Sequence, residues 1–97
     1  MRVTILTLLS VVTLMSAAAA TQQSDPPAGK APYDRVCAGC HGPNAEGNQG
    51  PRLAGIALDY EEFSAKVRHS DGEMPSIPAK ELSDDELKQV FEYLKSL

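Results

Sequence analysis

Residues Cys37-Ala38-Gly39-Cys40-His41 place two thiols two positions apart, with an imidazole directly after the second. This order suits covalent attachment of a haem, because each thiol can add across one vinyl group while the next side chain comes beneath the iron. Other chemistry uses parts of the same pattern. A dithiol redox pair belongs between a strand and a helix, and no strand pattern precedes Cys37. A zinc site could count Cys37, Cys40, His41 and His69, yet the adjacency of Cys40 and His41 departs from the usual two ligand pairs divided by a loop. A disulfide between the cysteines would leave His41 without a task. The pentapeptide therefore predicts one covalent haem c, tethered by Cys37 and Cys40, with His41 as the first iron ligand.

The group opposite His41 decides whether such an iron carries electrons or does chemistry on a small molecule. Met74 is the candidate. Met1 and Met15 lie in an N-terminal apolar segment, and Met74 is the third of the three methionines. It stands in a loop, not on an apolar helical face, and Pro75 holds it in extended geometry. A core gap-filling role for Met74, ligation by His69 and a vacant position are the alternatives. Thioether ligation would favour the ferrous state and raise the reduction potential.

The elements that must position these groups read as helices and long loops. A first helix is expected from about Ala31 to Cys37 or Ala38, with Pro32 tolerated in its first turn. Gly39 to Gly55 holds five glycines and two prolines, which predicts an ordered loop and no helix. A second helix is expected to start near Asp59, with Glu62 completing a capping box and Tyr60, Phe63 and Val67 on one face. Ser70 to Ala79 is broken by Gly72, Pro75 and Pro78. The third helix starts at Ser83, with Glu86 as reciprocal partner, Leu82 and Leu87 as a hydrophobic staple, and Leu87, Val90, Phe91 and Leu94 as the buried stripe. Asp84, Asp85 and Glu86 favour its N-terminal end and Lys95 the other. The expected fold class is all-α: three helices and long loops wrapped around one covalently attached haem.

Arg2 is the sole charged residue before Asp25, Val3 to Met15 is apolar, and Ser16 to Ala20 offers a small-residue cleavage site. The expected organisation is a signal peptide over 1–20, a flexible Pro-bearing lead over 21–29 and a haem domain over 30–97. An uncleaved anchor is the alternative, since the 18 uncharged residues from Val3 to Ala20 nearly suffice to cross a membrane. In either case the domain is expected in the periplasm or otherwise exported. Cleavage removes Arg2 and takes the net charge from −4 to −5, with scattered Lys and Arg, so nucleic acid is an unfavourable partner. The small domain has two Phe, three Tyr and no Trp, so it needs a staple, and a buried haem would supply the apolar surface it lacks.

Taken together, these residues resemble the class I cytochromes c, specifically the small single-haem bacterial kind. The likeness covers nearly all of the chain after the leader. Gly29-x-x-x-Tyr33-x-x-x-Cys37 has that family's spacing, Gly50-Pro51-Arg52-Leu53-Ala54-Gly55 is similar to its loop after the haem site, Met74-Pro75 to its methionine loop, and Val90-Phe91-Glu92-Tyr93-Leu94 to its closing helix. The resemblance implies that Gly29 lets the first and last helices cross closely near Tyr93 and Leu94, and that the Pro51 carbonyl accepts the ring N–H of His41. Pro32 departs from the pattern, so either the helix starts late or Gly29 does not lie on it. The implied function is a periplasmic one-electron carrier with His/Met ligation, monomeric and without its own catalytic site. It would dock transiently on redox partner proteins and keep no stable membrane insertion after signal cleavage. The alternative is a dedicated cytochrome subunit of a dehydrogenase or oxidase, and a gas- or ligand-sensing haem protein is a third class. Arg35, Arg52, Lys66 and Arg68 are expected to form a basic rim near the haem.

Overall fold

The computed structural model describes residues 25–97; the leader expected over 1–20, and positions 21–24 of the lead, lie outside them. Four helical segments are present, α1 (Lys30–Val36), α2 (Ala38–His41), α3 (Tyr60–Arg68) and α4 (Asp84–Ser96), and no strand occurs among the described residues. None of these helices is long and apolar enough to cross a membrane.

The two later helices begin where local chemistry dictates. At α3 the Asp59 carboxylate accepts from the Glu62 N–H at 2.8 Å while the Glu62 side chain accepts from the Asp59 N–H. At α4 Ser83 and Glu86 make the same reciprocal pair. Each pair satisfies two amide donors that a helix start otherwise leaves open. Leu82 and Leu87, on either side of the α4 cap, are both fully buried, which pins the entry angle of the helix.

Helix α1 carries Pro32 in its first turn, where no intrahelical donor is lost, and starts directly after Gly29. Gly29 is thus both the start of α1 and its contact with α4. A Cβ added there would come within 2.0 Å of the Gln89 carbonyl oxygen and 2.7 Å of the Tyr93 Cβ. The close crossing implied by the resemblance is present, and it seats Tyr33 against Tyr93 with ring centroids 5.6 Å apart. On the other side of α4, Phe91 meets Phe63 and Tyr60 of α3 at 5.3 and 5.5 Å. Tyr33, Leu82, Leu87, Val90 and Leu94 form the fully buried centre of the core.

The stretch after Cys37 differs from expectation. Glycine content predicted loop from Gly39 onward, yet Ala38–His41 forms a helical turn. The Cys40 and His41 amides both donate to the Cys37 carbonyl, and the Gly42 amide donates to Ala38. Continuity with α1 removes the nucleation cost that makes isolated short helices unfavourable. Gly42, at φ 90°, then stops the helix in a conformation that side chains disfavour. Beyond it the loop is ordered by backbone bonds to that turn, from the Gly47 amide to the His41 carbonyl and from the Gly50 amide to the Cys40 carbonyl, both 2.8 Å.

Candidate functional site

The α1–α2 run, the loop after it, α3 and the loop before α4 enclose a cavity of about 530 Å³. Cys37, Cys40, His41 and Met74 all line it, although 33 positions separate the last two in sequence. Leu53, Ile56, Leu58, Phe63, Val67 and Leu94 supply its apolar wall. The volume falls within the range of about 300–1,000 Å³ usual for small-molecule and cofactor pockets. Both cysteines are free, Cys37 buried and Cys40 exposed. Burial pushes the Cys37 thiol up to about 11.

His41 is 6% exposed, and its Nδ1 lies 2.8 Å from the Pro51 carbonyl oxygen. A carbonyl can only accept, so Nδ1 carries a proton, and in the neutral ring this tautomer keeps the Nε2 lone pair that a metal would use. The ring also rests directly on Gly50. A Cβ at Gly50 would lie 2.7 Å from Cε1 and 2.8 Å from Nδ1, so no larger residue fits there unless the imidazole moves. The family spacing pointed to Pro51, whereas the requirement for a glycine one residue earlier arises from a packing contact that pattern alone does not show.

His69 caps the C-terminus of α3 and borders a separate shallow depression with Tyr60, Glu61, Ser64, Ala65 and Arg68. It does not line the cavity that His41 and Met74 share. Among the described residues no cluster of three or more His, Cys, Asp and Glu side chains could hold a metal ion, which removes the geometric basis for a zinc site.

The expected basic rim is corrected by the structure. Arg35 bonds to the Glu86 carboxylate at 2.7 Å, and Arg68 bonds to Asp84 at 2.8 Å, so both are spent on the start of α4. Of the four cations only Lys66 lines the cavity, and it shares the lining with Asp71 and Glu73. Among the cavity wall residues, Ile56 and Leu58 have no role expected from sequence, and Leu53 enters there only within the segment that carries the resemblance. Their signal was an apolar triplet in an otherwise polar loop with no helical stripe to absorb it.

A covalently tethered haem fits this donor set: two thiols on one helical turn, an imidazole with its metal-binding nitrogen unprotonated, a thioether and an apolar wall. A family model described as cytochrome c oxidase, cbb3-type, subunit III, matches residues 24–94. The chain belongs to this family, and is a small c-type cytochrome with an all-α fold whose cofactor is haem c. It is 40% identical over 84 residues to the 4-cresol dehydrogenase [hydroxylating] cytochrome c subunit of Pseudomonas putida, covering 87% of this chain and 73% of that one. It is 31% identical over 75 residues to a cytochrome c-553-like protein of Synechocystis sp., covering 77% and 71%. Its fold is similar to a chain of the crystal structure of p-cresol methylhydroxylase with substrate bound, with a TM-score of 0.63, 43% identity and 71% and 90% of the two chains covered. These relatives make the chain an electron carrier of the c-type.

Proposed function

We propose that this cytochrome is an exported one-electron carrier whose haem is tethered by Cys37 and Cys40 and held axially by His41 Nε2 and Met74 Sδ. The observation that carries the reading is the meeting of all four groups in one apolar cavity, with the Pro51 carbonyl fixing the His41 tautomer. Bound haem supplies a one-electron couple at its iron. The protein's own contribution is positional. The Pro51 carbonyl aims His41 and strengthens it as a donor, Gly50 supports the ring, and the apolar wall keeps water from the iron and so raises the potential. With His41 and Met74 both given to holding the haem, this chain would carry electrons and catalysis would belong to partner proteins. The haem domain then spans 30–97, with 1–20 as the leader that directs it to the periplasm.

The second reading is a dedicated cytochrome subunit of a dehydrogenase. The 40% identity to the Pseudomonas putida subunit favours it over a carrier shared among many donors.

A denaturing gel stained for haem, with optical spectra of both oxidation states, tests the proposal. Covalent haem is expected, and Met74→Ala should change the iron's spectrum and lower its potential. An unchanged spectrum, or a polypeptide mass without haem, would refute the site. Reduction rates with a 4-cresol dehydrogenase and with unrelated donors then separate the two readings, a subunit being selective and a carrier promiscuous.

A further inference from the structure

The loop that carries Met74 is tied by hydrogen bonds at its neck and has almost none beyond it, where Met74 itself packs against the core. The Ile77 amide donates to the Val67 carbonyl at 2.8 Å, and the Ser70 amide to the Ser76 hydroxyl at 3.0 Å. Between these ties, Asp71, Glu73, Met74 and Pro75 make no hydrogen bond to the rest of the described chain, and Gly72 reaches only Ser70. Apart from that packing, the placement of Met74 depends on how firmly the neck is held.

Arg68 holds it. The side chain is 15% exposed, and its Nη1 donates to the carbonyls of Ile77, at 3.2 Å, and Leu82, at 2.7 Å, while Nη2 meets Asp84. One guanidinium thus fastens the end of α3 to the outgoing limb of the loop and to the residue before the α4 cap. Asp84 is 89% exposed, so that ion pair alone contributes little. The two carbonyl bonds have a charged donor and are partly sheltered from water, and they carry the clamp. A lysine offers a point charge where the geometry uses a planar fork.

Resting on the reading of Met74 as iron ligand, we infer that Arg68 is a positioning residue for the axial sulfur, setting how readily Met74 leaves the iron. A competing ligand binds only while Met74 is away, so its apparent affinity follows the fraction of open loop.

The experiment titrates the haem-loaded ferric protein with imidazole and follows the optical spectrum. Arg68→Ala is expected to bind imidazole about tenfold more tightly than the native protein, with Arg68→Lys in between. Val90→Ala, which truncates a fully buried α4 side chain that does not line the cavity, should lower the melting temperature and leave imidazole affinity within about twofold. Native affinity in Arg68→Ala, or an equal gain in Val90→Ala, would overturn the inference. Should Arg68→Ala fail to fold, the comparison of Arg68→Lys with Val90→Ala decides. If Met74→Ala leaves the native spectrum intact, the ligand assignment itself falls, a failure distinct from a null effect at Arg68.

Discussion

Tyr33 shows how one side chain ties the core to the haem-binding turn. Its ring is fully buried against Tyr93, and its hydroxyl donates to the Gly42 carbonyl at 2.7 Å, at the residue where α2 ends. Burial pushes the phenol up to about 12 from an ordinary value of 10.0, with the neighbouring Cys37 and Glu46 adding to the rise. The unfolded chain therefore gives up this proton near pH 10 while the folded chain still holds it. The contribution of Tyr33 to stability is complete below pH 10 and is lost as pH rises from about 10 to about 12. Tyr33→Phe should remove that alkaline loss. At neutral pH it should destabilise the protein by about 0.5–1.5 kcal/mol by removing one of the two donors to the Gly42 carbonyl, the Ala45 amide remaining. Denaturant unfolding at pH 7 and pH 11, followed by helical circular dichroism, checks both parts; an equal pH dependence in the two proteins would contradict the assignment.

Among the elements, those with local causes were legible in the sequence and those set by distant contacts were not. Both capping boxes and the Leu82–Leu87 staple are visible within a few residues, because the groups that satisfy a helix start are supplied by the start itself. The α2 turn was hidden, since composition counts glycines but cannot see that α1 has already nucleated the helix. The basic rim failed for the same reason. Arg35 finds Glu86 across 51 positions and Arg68 finds Asp84 across 16, pairings that no local pattern announces. Cys37, Cys40, His41 and Met74 were readable as chemistry, whereas the leucine and isoleucine wall depended on the loop's path. The α1–α4 crossing gives the sharpest test at this scale. Gly29→Ala forces a methyl into the Gln89 carbonyl and should destabilise by about 1–3 kcal/mol, the usual cost of overpacking, or more. Gly39→Ala meets no protein atom within 4 Å, so denaturation midpoints should separate the two. Equal midpoints would mean that the crossing relaxes freely.

For the whole molecule, the cavity is the largest single fact. A domain of this size has a thin core, and with the cavity of about 530 Å³ unfilled Leu53, Ile56 and Leu58 are only half-buried. Haem binding is then linked to folding, since a group that binds only the folded chain stabilises it. A haem-free preparation should melt broadly with little cooperativity. Its two cysteines should alkylate at similar rates, although in the folded arrangement Cys37 is buried with its thiol near 11 and Cys40 is open. A sharp calorimetric transition, or protection of Cys37 alone, would show that the polypeptide folds without its cofactor.

The contact between Gly29 and Gln89 also has a temporal meaning. A polypeptide leaves the ribosome N-terminus first, so Cys37 to His41 emerge well before the segment that will cover α1. Loop-closure entropy delays such a long-range contact further. Throughout that interval both sulfurs lie on an open, unroofed chain, accessible to whatever installs the porphyrin. The final helix acts as a lock turned last, over a cofactor already in place.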